Sequence, residues 1–112
     1  MKKLINVVFC LAGEGSRFVA ENYNTPKYLL DSKTKTILDE IIFNINNKEF
    51  CSFYFVINTK HKEYLMQINK IIKQFNIDFD IILTDDTKGQ AHTAYIACQK
   101  INNNNPVFIF NG

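Results

Sequence analysis

A chain of 112 residues is at most one small domain, and its 46% hydrophobic and 21% charged residues are the proportions of an ordinary globular chain. A net charge of +2, with no dense basic cluster, leaves no electrostatic footprint for nucleic acid or for an anionic membrane surface. Cys10, Cys51 and Cys98 are widely spaced, match no zinc spacing and lie in apolar runs, so they read as buried free thiols in a reducing compartment.

The chain opens on "MKKLINVVFCLAG". A basic start and an apolar core from Leu4 to Ala12 outline a secretory signal. Against that, Asn6 interrupts the core, and Cys10-Leu11-Ala12 is a poor small-x-small cleavage site. A buried first β-strand, Leu4–Cys10, entering a tight loop is the reading that the rest of the chain favours. A secreted protein trimmed of its first twelve residues is the weaker alternative, and the mature N-terminus decides it. No run is long enough to span a membrane.

From Leu11 to Lys35 no periodic element is visible, whereas a βα loop usually has about two to six residues. Loops of this length in a compact domain are functional or disordered, and this one holds Gly13-Glu14-Gly15-Ser16-Arg17 and "NTPKYLL". Thr36 then reads as a helix N-cap with Asp39 three residues on. Ile37, Leu38, Ile41, Ile42 and Ile45 form the apolar face of that helix. A strand over Phe53–Asn58 follows, and then a second helical face of Tyr64, Leu65, Ile68, Ile71, Ile72 and Phe75. After a strand over Phe79–Leu83 comes a third face of Ala91, Ala94, Tyr95, Cys98 and Ile101, whose small residues suit close packing on a sheet. Asn102-Asn103-Asn104-Asn105 reads as a polar connector to a last strand, Val107–Phe110. The four strand runs are near-continuously apolar, as in strands buried on both faces. The alternation β-α-β-α-β-α-β predicts an α/β domain with a parallel sheet, right-handed crossovers and a Rossmann-like three-layer α/β/α arrangement.

Glycine is scarce in this chain and Arg17 is its only arginine, so Gly13, Gly15 and Arg17 in one loop are a concentration of both. A dinucleotide fingerprint would need glycine at Phe18 and an acid at the end of the second strand, where Asn58 stands. A P-loop would need Gly-Lys-Ser/Thr, which does not follow. What the stretch offers is a glycine pair permitting close backbone approach, converging N–H groups suited to an anion, and a guanidinium fork matching phosphate oxygens. Lys27, stiffened by Pro26, brings a second cation to the same loop mouth. The plain alternative is a turn with two solvated cations. Asp85-Asp86 reads as a solvated loop rather than a metal pair, His61 as a helix-start residue, and His92 as a structural histidine.

Gly13-x-Gly15-Ser16-Arg17 followed by Pro26-Lys27 resembles the signature of the sugar-phosphate nucleotidyltransferases (NDP-sugar pyrophosphorylases), including the phosphocholine cytidylyltransferase-like members. The resemblance continues through Lys35-Thr36-Ile37-Leu38, Gly89-Gln90-Ala91 and "PVFIFNG", and so covers nearly the whole chain. It implies a strand order 3-2-1-4. It also implies that the backbone of Leu11, Ala12, Gly13, Gly15 and Ser16 wraps a nucleoside triphosphate, with Arg17 on the β- and γ-phosphates and Lys27 at the α-phosphate. Gly89, Gln90 and Ala91 would meet the base. The implied reaction joins an NTP to a phosphorylated sugar or alcohol, releases pyrophosphate and uses Mg²⁺. That is a cytoplasmic supply of activated precursors for surface polysaccharides, with no nucleic-acid or membrane partner. Two departures stand out: Leu11 replaces a small alanine, and the family's Mg²⁺-binding aspartate would come directly after Gly112. The expectation is therefore that residues 1–112 are a single nucleotide-binding α/β domain forming the N-terminal part of a longer enzyme, inactive by itself. Val107–Phe110 would be left as an unpaired apolar edge. The rival reading is a nucleotide- or sugar-nucleotide-sensing module of the same fold without turnover.

Overall fold

The computed structural model describes residues 2–12, 26–31, 35–85 and 87–111, with the side chains of Lys27 and Asn111 outside the description. Four strands and three α-helices alternate: β1 (Ile5–Cys10), α1 (Ile37–Phe43), β2 (Cys51–Asn58), α2 (Leu65–Lys73), β3 (Asp78–Thr84), α3 (Gln90–Lys100) and β4 (Val107–Asn111). Short 3₁₀ turns occupy Lys27–Leu29, Lys48–Phe50 and Thr59–Tyr64. The strands form one parallel sheet in the order β3-β2-β1-β4. This is the α/β architecture and the 3-2-1-4 order expected above.

The first apolar run supplies β1, a central strand paired on both sides, and Val8 and Phe9 are fully buried. Its alternate side chains feed two separate cores. On one face Val7, Phe9 and Leu11 join Phe53, Phe55 and Ile57 of β2, Leu38 and Ile42 of α1, and Ile68, Ile71 and Ile72 of α2. The aromatic rings run as a cross-strand row, with Phe9 5.1 Å from Phe55 and 5.5 Å from Phe110, centroid to centroid. Such pairs add to the burial of large apolar area. On the other face Val8, Cys10 and Ala12 meet Val56, Ile82 and Ala97, a thinner core covered by α3. The sheet therefore carries α1 and α2 on one side and α3 on the other, the layering that follows when the chain reverses its direction of travel across the sheet after β3.

Local signals hold where they are chemical. Thr36 and Asp39 form a reciprocal capping box: the Asp39 N–H donates to Thr36 Oγ1 at 3.2 Å, and the Thr36 N–H donates to the Asp39 carboxylate at 3.2 Å. Two orphan donors of the first turn are thereby satisfied. Apolar periodicity ran past the true helix ends. Ile45 lies beyond α1 and Phe75 beyond α2, yet both pack against the larger core as partly buried residues. Asn47 and Asn76 take left-handed φ values of 58° and 52° after those helices, a conformation that asparagine tolerates.

Three expectations need correction. The buried face of α3 is Thr93 and Ala97, flanked by Ala94, Ile96 and Ile101, whereas Ala91, Tyr95 and Cys98 are exposed. A weakly amphipathic helix gives periodicity little to discriminate on. The deciding residue is polar: Thr93 is buried because its hydroxyl has local partners, as described below. Accordingly Cys98 is an exposed thiol, while Cys10 and Cys51 are buried and burial pushes both of their thiols up. Burial on both faces belongs to β1 and most of β2 but not to the edges. On β3, Asp78, Asp80 and Leu83 are exposed, and on β4 Val107, Phe108 and Phe110 are exposed.

Candidate functional site

The chain moves outward from β1 to β2 to β3, then crosses back to place β4 on the other side of β1. That reversal puts the switch point between β1 and β4, and in open parallel sheets ligands bind there, beyond the carboxyl ends of the strands. Leu11 and Ala12 leave β1 at this edge. The Leu11 N–H donates to the Val56 carbonyl at 3.0 Å, extending the ladder one step past β1. Leu11 turns its side chain into the larger core and Ala12 into the core under α3. The bulk of Leu11 is thus taken up by the sheet's α1/α2 face, on the side away from α3. Gly13, Gly15, Ser16 and Arg17 lie outside the described residues.

The chain returns to this edge at Pro26. Leu29 closes the turn by donating its N–H to the Pro26 carbonyl at 3.0 Å, and Lys27 begins that 3₁₀ turn. Tyr28 and Leu29 are both 4% exposed and belong to the larger core. Tyr28 Oη shares a hydrogen bond of 3.1 Å with His61 Nδ1, and the two rings meet edge-on at 5.9 Å. Burial pushes the Tyr28 phenol well up, so it stays a neutral hydroxyl. Burial, with the charge of Lys60 beside it, pulls His61 below 6.5, and Glu63 opposes this in part.

Gly89 caps α3 with φ 128° and ψ −175°, a region essentially confined to glycine. A Cβ there would meet nothing within 4 Å, so backbone conformation rather than crowding demands glycine. The approach to it is held by Thr93, whose Oγ1 donates to the Gly89 carbonyl at 3.1 Å and shares a 2.7 Å hydrogen bond with Thr87. The Lys88 N–H donates to His92 Nδ1 at 3.0 Å, a capping role that matches the structural reading of His92. Gln90 and Ala91 are exposed at the first turn of α3. Asp85 is exposed and accepts from Thr59 Oγ1 at 2.9 Å; Asp86 lies outside the described residues.

In the sequence Asn58 reads only as the wrong residue for a dinucleotide fold. It is 6% exposed at the end of β2, where its Nδ2 lies 3.5 Å from the Ala12 carbonyl and its Oδ1 accepts from the Lys60 N–H at 2.9 Å. Its only sequence signal was position: a polar residue ending an apolar strand. The Tyr28–His61 bond left no such signal, because its partners are separated by an entire helix and strand. Among the described residues no buried side-chain polar atom is without a partner, and no three His, Cys, Asp or Glu side chains gather as a metal site.

A family model described as nucleotidyl transferase matches residues 7–112. The chain belongs to the nucleotidyl transferase family. Its fold is similar to the crystal structure of a nucleoside-diphosphate-sugar pyrophosphorylase from Vibrio cholerae RC9, with a TM-score of 0.71 and 22% identity. The match covers 94% of this chain and 46% of that one, so the chain spans about half the length of its structural neighbour. At that identity the likeness shows the fold. Comparison with curated proteins gives no match. Among the described residues no helix is long and apolar enough to cross a membrane.

Proposed function

We propose that this chain binds a nucleoside triphosphate at the carboxyl edge of β1 and takes part in nucleotidyl transfer to a phosphorylated small molecule. In that reaction a phosphate oxygen of the acceptor attacks the α-phosphorus in line. A new P–O–P bond forms, the bond between the α-phosphorus and the bridging oxygen breaks, and pyrophosphate leaves with the electron pair. Charge builds on the phosphoryl oxygens, so positioned cations are the main catalytic means. Arg17 holds the β- and γ-phosphates, Lys27 faces the α-phosphate, and Gly89, Gln90 and Ala91 receive the base. Mg²⁺ arrives with the triphosphate as part of the substrate. A sugar phosphate or phosphorylated alcohol as acceptor, and activated precursors of surface polysaccharide made in the cytoplasm as the product, complete the reading.

One observation supports it above the others. Ala12, the turn beginning at Lys27, and the Gly89 cap of α3 are far apart in sequence, yet each lies past the carboxyl end of a strand: Ala12 follows β1, the Lys27 turn is bonded through Tyr28 to His61 after β2, and Gly89 follows β3. Calorimetric titration with CTP, UTP, GTP, ATP and dTTP in Mg²⁺ tests the reading. Saturable binding of one or two of them, weakened about tenfold or more by Arg17→Ala through loss of a charged hydrogen-bonding partner, is expected. Absence of binding by folded protein overturns it. A second reading is nucleotide binding without turnover. Pyrophosphate release in the presence of candidate acceptors separates the two.

A further inference from the structure

The 3₁₀ turn Thr59–Tyr64 and the residue capping it are bonded to each described segment that leads into the candidate site. Asn58 reaches the Ala12 carbonyl at 3.5 Å, a long contact, while bracing its own turn through Lys60 at 2.9 Å. Thr59 holds Asp85, in the connection that runs on to Gly89. His61 holds Tyr28, the residue next to Lys27, and Tyr64 packs edge-on against His61 at 6.4 Å. Ala12 directly precedes, and Pro26 directly follows, the segment that carries Gly13, Gly15 and Arg17. One turn is therefore tied to both roots of that segment and to the approach to α3.

We propose that this turn is the positioning device of the site, and that His61, acting through Tyr28, sets where Lys27 stands against the triphosphate. The proposal rests on the nucleotidyl transfer reading above. Tyr28 is too buried to touch a ligand, so the effect of its hydroxyl must pass through the backbone. A lysine ammonium sits on a flexible four-carbon stem, and its placement is only as good as the anchorage of its Cα. Displacement of a catalytic group by about 1 Å costs up to about a hundredfold in rate. A hydroxyl bonded merely to satisfy burial would stabilise the fold and leave phosphate contacts indifferent to it; a positioning bond couples to Lys27.

Two measurements on the whole chain separate these possibilities. The first, without nucleotide, is amide hydrogen exchange at Leu29 in wild type and in Tyr28→Phe, which keeps the ring and removes the hydroxyl. Loss of one hydrogen bond predicts exchange about three- to tenfold faster at Leu29, with the amides of β1 little changed. Unchanged exchange at Leu29 overturns the link itself. The second is titration with whichever of CTP, UTP, GTP, ATP or dTTP binds wild type most tightly. Tyr28→Phe is expected to weaken binding about three- to tenfold in the wild-type background and to add nothing in a Lys27→Ala background. Equal weakening in both backgrounds overturns positioning and leaves a structural role. If no triphosphate binds, or Lys27→Ala binds as well as wild type, the nucleotidyl transfer reading has failed and the positioning role fails with it. The exchange measurement then still shows whether the turn anchors Tyr28.

Discussion

The two ends of the sheet use their polar side chains differently. Where the strands begin, asparagines close the structure on itself. Asn6, 1% exposed, donates through Nδ2 to Asn103 Oδ1 at 2.8 Å and to the Asn105 carbonyl at 3.2 Å, and it accepts from Asn103 Nδ2 at 3.2 Å. Asn105 in turn donates to the Lys3 carbonyl at 3.2 Å. The backbone N–H groups of Leu4 and Asn6 are satisfied by the Phe50 and Pro106 carbonyls, both at 2.8 Å. Where the strands end, buried braces such as Asn58 and Thr93 stand beside an exposed glycine cap and exposed Gln90 and Ala91, and Asn58 also reaches Ala12, a buried root of the Gly-Arg segment. Both ends pair polar groups, but at the first the pairs close the strand starts on one another, whereas at the second they tie together the loops that follow different strands. A rigid scaffold with its variable chemistry on the loops at one edge is how parallel α/β domains host function.

The comparison is broken most completely at the strand that joins both ends. Phe9→Ala removes a fully buried ring stacked on Phe55 and tilted against Phe110. It should cost about 3–5 kcal/mol, measured by chemical denaturation, and nucleotide binding should be lost along with the fold. Asn6→Ala sharpens the contrast. It removes the buried side chain's three hydrogen bonds to Asn103 and Asn105 and should cost about 2 kcal/mol, with nucleotide affinity unaltered in titration, because Ala12 lies about 20 Å along the strand at 3.3 Å per residue. An affinity loss there would show that the two ends communicate. Gly89→Ala acts at the other end. With no steric contact to relieve, its cost is backbone strain alone, about 1–3 kcal/mol, and here thermal stability and affinity should fall together.

The smallest effect expected is on pH dependence. His61 has its folded pKa pulled below 6.5 by burial, so the folded state binds fewer protons than the unfolded state. Its contribution is fully present above 6.5 and is lost as pH falls through the folded value. Denaturation midpoints measured between pH 7 and pH 5 should therefore drop slightly more for wild type than for His61→Gln. The carboxylates common to both proteins cancel in that difference.

Much of the architecture was legible because its causes are local. The apolar runs of β1 and β2, the Thr36–Asp39 box and the buried Leu38, Ile42, Ile68 and Ile72 follow from periodicity and capping. The face of α3 was not, since its alanines run along one flank from exposed Ala91 to buried Ala97 and leave orientation to Thr93 and its partners at Thr87 and Gly89. The asparagine run looked like a connector because its meaning lies in Asn6, nearly a hundred residues away. The same holds for Tyr28 and His61.

By itself, then, the amino-acid order determined which segments are strands and helices, and through their alternation and the Gly-Arg and Pro-Lys pairs it determined the family. Hydrophobic period and capping act over one to four residues, so they can be read along the chain. Only the tertiary structure decided which polar side chains meet. A hydrogen bond between Asn6 and Asn103, or between Tyr28 and His61, exists because the sheet brings distant segments within about 3 Å, and no spacing in one dimension encodes that approach.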